Sequence, residues 1–343
     1  MLFGHGDDAY LQGKNIEHNF SSNVVRSGIS QQMVNFLKDN IGCVENYPEV
    51  VAESLVERIA KFHNVQSDNI IVTSGATAAF YLIAQFFRDH TSTIFTPSFA
   101  EYEDACRTNN HSMLFRERSK IKDYSCSFSD LVWICNPNNP DGELLKSGLL
   151  ASLAVNYSET IFVIDEAYIE FTSSAESESM IQYLSTLSNV IIVRSLTKNL
   201  AIPGLRLGYI VALEHTISQL KNILQPWSVN ALAIAAGNYY FDNKSNFNIN
   251  IDSLLNDTKL FSEQLMQTGI CNISQSSSSF FLAELVKGDS ESLKKYLIDE
   301  HGILIRNASN FRGLNEKCFR LATQSVEQNQ KLVNAVKQWV CLI

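Results

Sequence analysis

The sequence predicts an α/β protein: a large domain built on a mostly parallel, seven-stranded sheet, followed by a smaller α+β C-terminal domain. Short β-branched or aromatic runs recur through the first two thirds of the chain. Most are continuously apolar rather than alternating, as suits strands buried on both faces of a parallel sheet. Helix-like segments lie between many of them, which is the order of a layered α/β structure.

The runs follow one another as NIIVT (69–73), TIFTP (93–97), SMLFRE (112–117), DLVWIC (130–135), TIFVID (160–165), NVIIVRS (189–195) and LGYIVAL (207–213). AAFYLIAQFFRD and the stretch after Gly142 read as helices between them. After about Trp227 the character changes. A polar helix is expected from Ile249 to Gln267, then a serine run SQSSSS (274–279), the strand FFLAELV, a helix, GILIR, CFRLAT and a final helix. Six serine-rich residues between strand-like stretches read as a surface loop rather than a linker.

Composition narrows the function. With 343 residues, 45% hydrophobic and 18% charged, the chain is long enough to bury a large core. Thirty-six acidic against 27 basic residues give a net charge of −9 with no basic block, which argues against nucleic acid as a partner. The opening MLFGHGDDAYLQGKN has neither the basic nor the apolar region of a signal peptide, and no apolar run reaches the length of a membrane span. A cytoplasmic protein without membrane contact is therefore expected. The seven cysteines, Cys126 among them, are scattered without a C-x-x-C pair, so they are expected to be reduced and mostly in the core. The histidines show no ligand spacing, and no metal is expected.

The chemistry gathers at the ends of the predicted strands, where open α/β sheets place their ligands. Thr73-Ser74-Gly75-Ala76-Thr77 joins a buried strand to a helix, and its small residues let backbone N–H groups approach an anion. An ordinary capped turn would look the same. CNPNNPDG (135–142) is a proline-stiffened turn that presents Asn138 and Asn139 amides. In IDEAY, Asp165 ends an apolar run and needs a cation or a donor, from a ligand or from the protein itself. SLTKNLAIPGLRLG (195–208) follows another strand and carries Lys198 and Arg206. A lysine in a loop is usually a solvated charge, but a second cation and desolvation make it nucleophilic, and an arginine also holds an anion. An aspartate for a pyridinium nitrogen and a lysine for a Schiff base are what a pyridoxal phosphate enzyme requires.

In this ordered set, with S-x-T-K and an arginine eight residues after the lysine, the sequence resembles the fold-type I pyridoxal phosphate enzymes of aminotransferase class I and II over nearly its whole length. The resemblance implies that Lys198 is the Schiff-base lysine and general acid/base and Asp165 the pyridinium partner. It makes Tyr168 and Asn139 donors to the phenolic oxygen of pyridoxal 5'-phosphate. Gly75, Ala76, Thr77, Ser195 and Arg206 would hold the cofactor phosphate. Phe99 in TPSFAEY matches the stacking aromatic, with a core phenylalanine as its rival reading. Tyr47 in ENYPE matches the tyrosine that reaches the neighbouring subunit's phosphate, which implies a homodimer with shared active sites. Arg320 in CFRLAT, with Arg306 and Asn23, is placed with the substrate. The implied division is 1–40 as N-terminal arm and part of the small domain, 41–226 as the large cofactor-binding domain and 227–343 as the small domain.

Two branches are most similar. YP at 47–48 and GILIR before FRLAT resemble histidinol-phosphate aminotransferase. GHGDDAY, HNFSSN, SNFRGL (309–314) and EQNQKL (327–332) resemble the threonine-phosphate decarboxylase of cobalamin synthesis. Transamination is the commoner chemistry of the fold and is the first expectation; decarboxylation is the alternative. A transcriptional regulator on this fold would need a DNA-binding domain and a basic patch, and neither is expected from this length and charge balance. Asp141 stands where the family usually has Thr, and NVVRSG (23–28) where these branches often have N-P-x-G, so departures are expected to touch the substrate side. His5 and Arg312 are expected to cap the arm and a turn rather than to meet a substrate phosphate.

Overall fold

The computed structural model describes residues 7–341 apart from Tyr124, Cys126 and Ser127, so the expectations for His5 and Cys126 lie outside the described residues. The N-terminal arm carries β1 (His18–Asn19), followed by α1 (Gln31–Asp39) and α2 (Glu53–His63). The large sheet and its helices then alternate: β2 (Ile70–Thr73), α3 (Gly75–Phe86), β3 (Thr91–Thr96), α4 (Glu101–Thr108), β4 (Ser112–Glu117), β5 (Leu131–Cys135), α5 (Ser147–Asn156), β6 (Ile161–Asp165), β7 (Val190–Ser195), α6 (Leu196–Asn199) and β8 (Gly208–Val211). The sheet order is β2-β8-β7-β6-β5-β3-β4, with β8 antiparallel to both neighbours and the other pairs parallel. Each of the seven apolar runs forms one of these strands.

Alternation along the strands builds two cores. Val132, Ile134, Phe162, Ile164 and Ile192 face α2, α5 and α8 (Ala231–Asp242), while Leu131, Trp133, Val163, Ile191 and Val193 face α3, α4 and α7 (Glu214–Lys221). Both faces are buried, which is why the runs are apolar throughout. β4, at the edge, is the exception, with Ser112, Arg116 and Glu117 exposed.

The remaining chain forms α9 (Ile251–Met266), β9 (Cys271–Ile273), β10 (Phe280–Leu285), α10 (Ser290–His301), β11 (Ile303–Leu304), β12 (Arg306–Asn307), β13 (Cys318–Ala322) and α11 (Val326–Val340). A second, antiparallel sheet has the order β12-β13-β10-β9, and β1 pairs with β11, tying the arm to this part. Phe20, Phe261, Phe281, Phe319 and Trp339 share its core.

The serine run differs from the surface-loop expectation. Ser278 and Ser279 are buried, Ser277 N donates to Gly142 O at 2.9 Å, and Ser276 Oγ donates to Phe280 O at 2.6 Å. Gly142, at φ +78°, leaves the room; a Cβ there would lie 2.0 Å from Ser276 Oγ. Cys106, Cys135, Cys271 and Cys318 are buried and unbridged, while Cys341 is exposed and Cys43 half-buried. Among the described residues no helix is long and apolar enough to cross a membrane.

Candidate active site

A cavity of about 330 Å³ opens at the carboxyl ends of β2, β5, β6 and β7 and is closed by the arm and the second sheet. Lys198, Asp165, Asn139, Tyr168, Ser195, Ala76, Thr77, Phe99 and Arg206 all line it, as do Asn23, Arg306 and Arg320. The expected site residues therefore meet in one place, with two exceptions. Gly75 lies beneath the wall rather than in it. Tyr47 is 87% exposed, packs at a tilt against Trp227 with ring centroids 5.5 Å apart, and does not reach this cavity within the chain.

Local geometry explains each position. At the start of α3, Gly75 takes φ +81°, and a Cβ there would lie 2.6 Å from Arg206 Nη2. Arg206, itself at φ +58°, thus lies directly on the first turn of a twelve-residue helix. Free amides, a helix dipole and a guanidinium converge there, beside the paired hydroxyls of Ser195 and Thr197, 2.7 Å apart. This cradle fits a phosphate dianion.

Asp165 ends β6 inside the protein. Its Oδ2 accepts from the Tyr102 hydroxyl at 2.5 Å and its Oδ1 from Ala167 N at 3.0 Å. Burial raises its carboxyl to about 6, against the pull of those donors and of Lys198. Lys198 follows β7, and burial, with Arg320 and Arg206 nearby, pushes its amine down to about 8. Asn139 Oδ1 accepts from Arg320 Nη1 at 2.6 Å, and Arg320 Nη2 donates to Ser21 O at 2.5 Å. Burial and Arg320 together lower Arg306 to about 9, so two guanidiniums are held side by side on one wall of the cavity. Tyr168 packs edge-on against Phe280 at 4.8 Å, and burial raises its hydroxyl to about 12. Phe99 combines both readings: it lines the cavity and also packs on Phe80 and Tyr102.

The departures fall differently. Asp141 does not line this cavity; its Oδ1 accepts from Asn138 Nδ2 and Glu143 N, both at 3.0 Å, and so closes the Asn-Pro turn. In the 23–28 segment, Val25 N donates to Lys198 O at 2.9 Å while Asn23 faces the cavity. Arg312 pairs with both carboxylate oxygens of Glu103, at 2.8 and 3.0 Å, away from the cavity. Residues not singled out in the sequence also line the wall: Asp7, Ser21, Thr197, Asn310 and Phe311. Thr197 sits inside the S-x-T-K motif, Asn310 and Phe311 inside SNFRGL, Ser21 inside HNFSSN and Asp7 inside GHGDDAY, so sequence signals for all five existed.

A phosphate cradle, a depressed lysine and a buried strand-end carboxylate around one cavity define a pyridoxal phosphate enzyme of the α/β type. Residues 16–336 match the family model of aminotransferase class I and II, and the chain belongs to that family. It is 39% identical to the crystal structure of L-threonine-O-3-phosphate decarboxylase from Porphyromonas gingivalis, over 94% of this chain and 99% of that one, with a TM-score of 0.90. Histidinol-phosphate aminotransferase from Clostridium acetobutylicum is 28% identical over 95% and 100%, with a TM-score of 0.84. Threonine-phosphate decarboxylase of Salmonella typhimurium is 28% identical over 330 residues, 93% of this chain and 90% of that protein.

Proposed function

We propose that the chain decarboxylates a small O-phosphorylated amino acid of the phosphothreonine kind, with transamination of a histidinol-phosphate-like amine as the second reading. The observation that carries the first is the adjacent, buried pair Arg306 and Arg320 on the substrate face. A phosphoamino acid brings a carboxylate and a phosphate, one anion for each guanidinium. The 39% likeness to L-threonine-O-3-phosphate decarboxylase points the same way. The likeness to histidinol-phosphate aminotransferase supports the second, since one arginine suffices for its phosphate.

In this reading Ala76, Thr77, Ser195 and Arg206, with Gly75 giving room, hold the cofactor phosphate, Phe99 covers the ring, and Asn139 and Tyr168 donate to its phenolic oxygen. Asp165 keeps the ring nitrogen protonated. Pyridoxal phosphate supplies an electron sink for the pair released at the substrate's α-carbon. Lys198 carries the cofactor and then moves a proton at that carbon, work suited to an amine near 8. Arg320 and Arg306 fix which α-carbon bond lies across the ring plane, and Asn23 borders the same anion. Tyr47, exposed beside Trp227, serves the site of a second copy in a homodimer. The division at 1–40, 41–226 and 227–343, a cytoplasmic location and the absence of nucleic-acid partners belong to the same proposal.

The deciding experiment adds O-phospho-L-threonine and, separately, L-glutamate to the purified holoenzyme. Carbon dioxide from the first with no spectral change from the second is expected. A cofactor band that disappears with glutamate and returns with 2-oxoglutarate would establish transamination instead. A band that survives Lys198→Ala unchanged would overturn the role given to Lys198.

A further inference from the structure

Asp165 is held by more than its place at the end of β6. The Tyr102 hydroxyl reaches it from α4, behind the sheet, and donates to Oδ2 at 2.5 Å, while Cys135 Sγ stands 3.7 Å from the same oxygen. Tyr102 is 1% exposed, stacks on Trp133 at 5.7 Å with planes 21° apart, and meets Phe80 edge-on at 4.9 Å. Its ring therefore has one orientation, which directs the hydroxyl at the Asp165 carboxylate with Cys135 beside both.

We propose that Tyr102 is a positioning residue of the cofactor site: its hydroxyl orients the Asp165 carboxylate, stabilises it in the ionised form and so sets how firmly Asp165 keeps a proton on the cofactor ring nitrogen. The proposal rests on the reading of Asp165 as the partner of that nitrogen.

Two effects oppose each other at Asp165. Burial favours the neutral acid, whereas a donor favours the carboxylate. The groups that face it are Tyr102 from α4, Cys135 from β5, Lys198 from α6 and Tyr168 from the loop after β6. Burial pushes Tyr102, Cys135 and Tyr168 upward, so all three stay neutral and Tyr102 stays a donor through neutral pH. Lys198 is the one charged neighbour among them, and Glu166 turns to Arg194 on the other side, 2.9 Å away. Ala167 N also donates to the carboxylate, at 3.0 Å, but it is backbone; among the described neutral side chains Tyr102 makes the shortest bond to it and carries most of the adjustable stabilisation.

The test is Tyr102→Phe in holoenzyme loaded with ¹⁵N-labelled pyridoxal phosphate, with Asp165→Asn as control. Wild type is expected to show the ring nitrogen protonated at pH 7. Asp165→Asn is expected to lose that signature, and Tyr102→Phe to shift it part of the way and to move the pH dependence of the cofactor's visible band. In the cofactor-free protein the Asp165 midpoint, read from ¹³C-labelled aspartate, should rise by about one to two pH units, the worth of one hydrogen bond to a charge. Replacing Tyr102 by 3-fluorotyrosine, a stronger donor of the same shape, should move that midpoint downward. A nitrogen signal unchanged in Asp165→Asn would overturn the role of Asp165 itself. A change in Asp165→Asn with none in either Tyr102 replacement would overturn the role of Tyr102 alone.

Discussion

Lys198 shows what the site costs at the level of one side chain. Its amine is buried beside Arg320 and Arg206, and its pKa in the folded protein, about 8, lies below the ordinary 10.5. Between those values the unfolded chain binds more protons than the folded one, so stability attributable to this residue rises with pH across that window. Below about pH 8 the penalty is complete; above pH 10.5 it has vanished. Lys198→Met should therefore stabilise the cofactor-free protein at pH 7, by on the order of 2–3 kcal/mol. Urea unfolding of both proteins at pH 7 and pH 10.5 checks this: the gap should close at the higher pH, and an equal gap at both would assign it to packing alone.

Among the elements, the turn from β2 into α3 and the start of β8 make one unit. Gly75→Ala places a methyl against Arg206 Nη2 and puts a non-glycine residue at φ +81°. Cofactor affinity should fall at least about tenfold, with a strain of about 1–2 kcal/mol on folding. Titration of the cofactor-free variant with pyridoxal phosphate measures the first and thermal unfolding the second. This element scale is also where the sequence was most legible. Buried parallel strands must be apolar on both faces, so the strands of the large sheet announced themselves, and Asp165 and Lys198 stood out as charges at or just past strand ends, with Arg206 just before the next strand. Tyr102 did not, because an aromatic residue on a helix reads as core, which it also is. Asp141 reads as a substrate-side residue because it departs from the family's usual Thr; only the folded turn shows its carboxylate spent on Asn138 and Glu143. The burial of Ser278 and Ser279 was hidden because a run of small polar residues reads as a loop; in the fold Ser278 N donates to Ser276 Oγ and Ser279 O accepts from Thr323 N.

Over the whole molecule, Arg312 joins the loop that carries Asn310 and Phe311 to α4. Its guanidinium pairs with Glu103 and lies 3.9 Å over the Phe115 ring. Both groups are partly exposed, so Arg312→Ala should lower stability by only about 1 kcal/mol or less. Its larger effect should be a raised KM with kcat nearly unchanged, and faster amide exchange confined to 309–314. Uniformly faster exchange would contradict a local clasp. For the shared-site arrangement, mixing Lys198→Ala with Tyr47→Ala should restore part of the activity that each has lost, because one intact site forms per mixed dimer; no recovery would argue for independent sites.

Arg320 has a consequence of its own. It comes from β13, yet its two strong hydrogen bonds end on Asn139 of the large sheet's turn and on Ser21 of the arm. An anion that engages this guanidinium alters both attachments at once. In the proposed function, where the substrate's anion meets Arg320, substrate affinity and seating of the arm are thereby thermodynamically linked, and the linkage is reciprocal. Whatever factor the substrate contributes to protecting residues 7–23 from a protease, removal of the arm must subtract from the binding of the substrate.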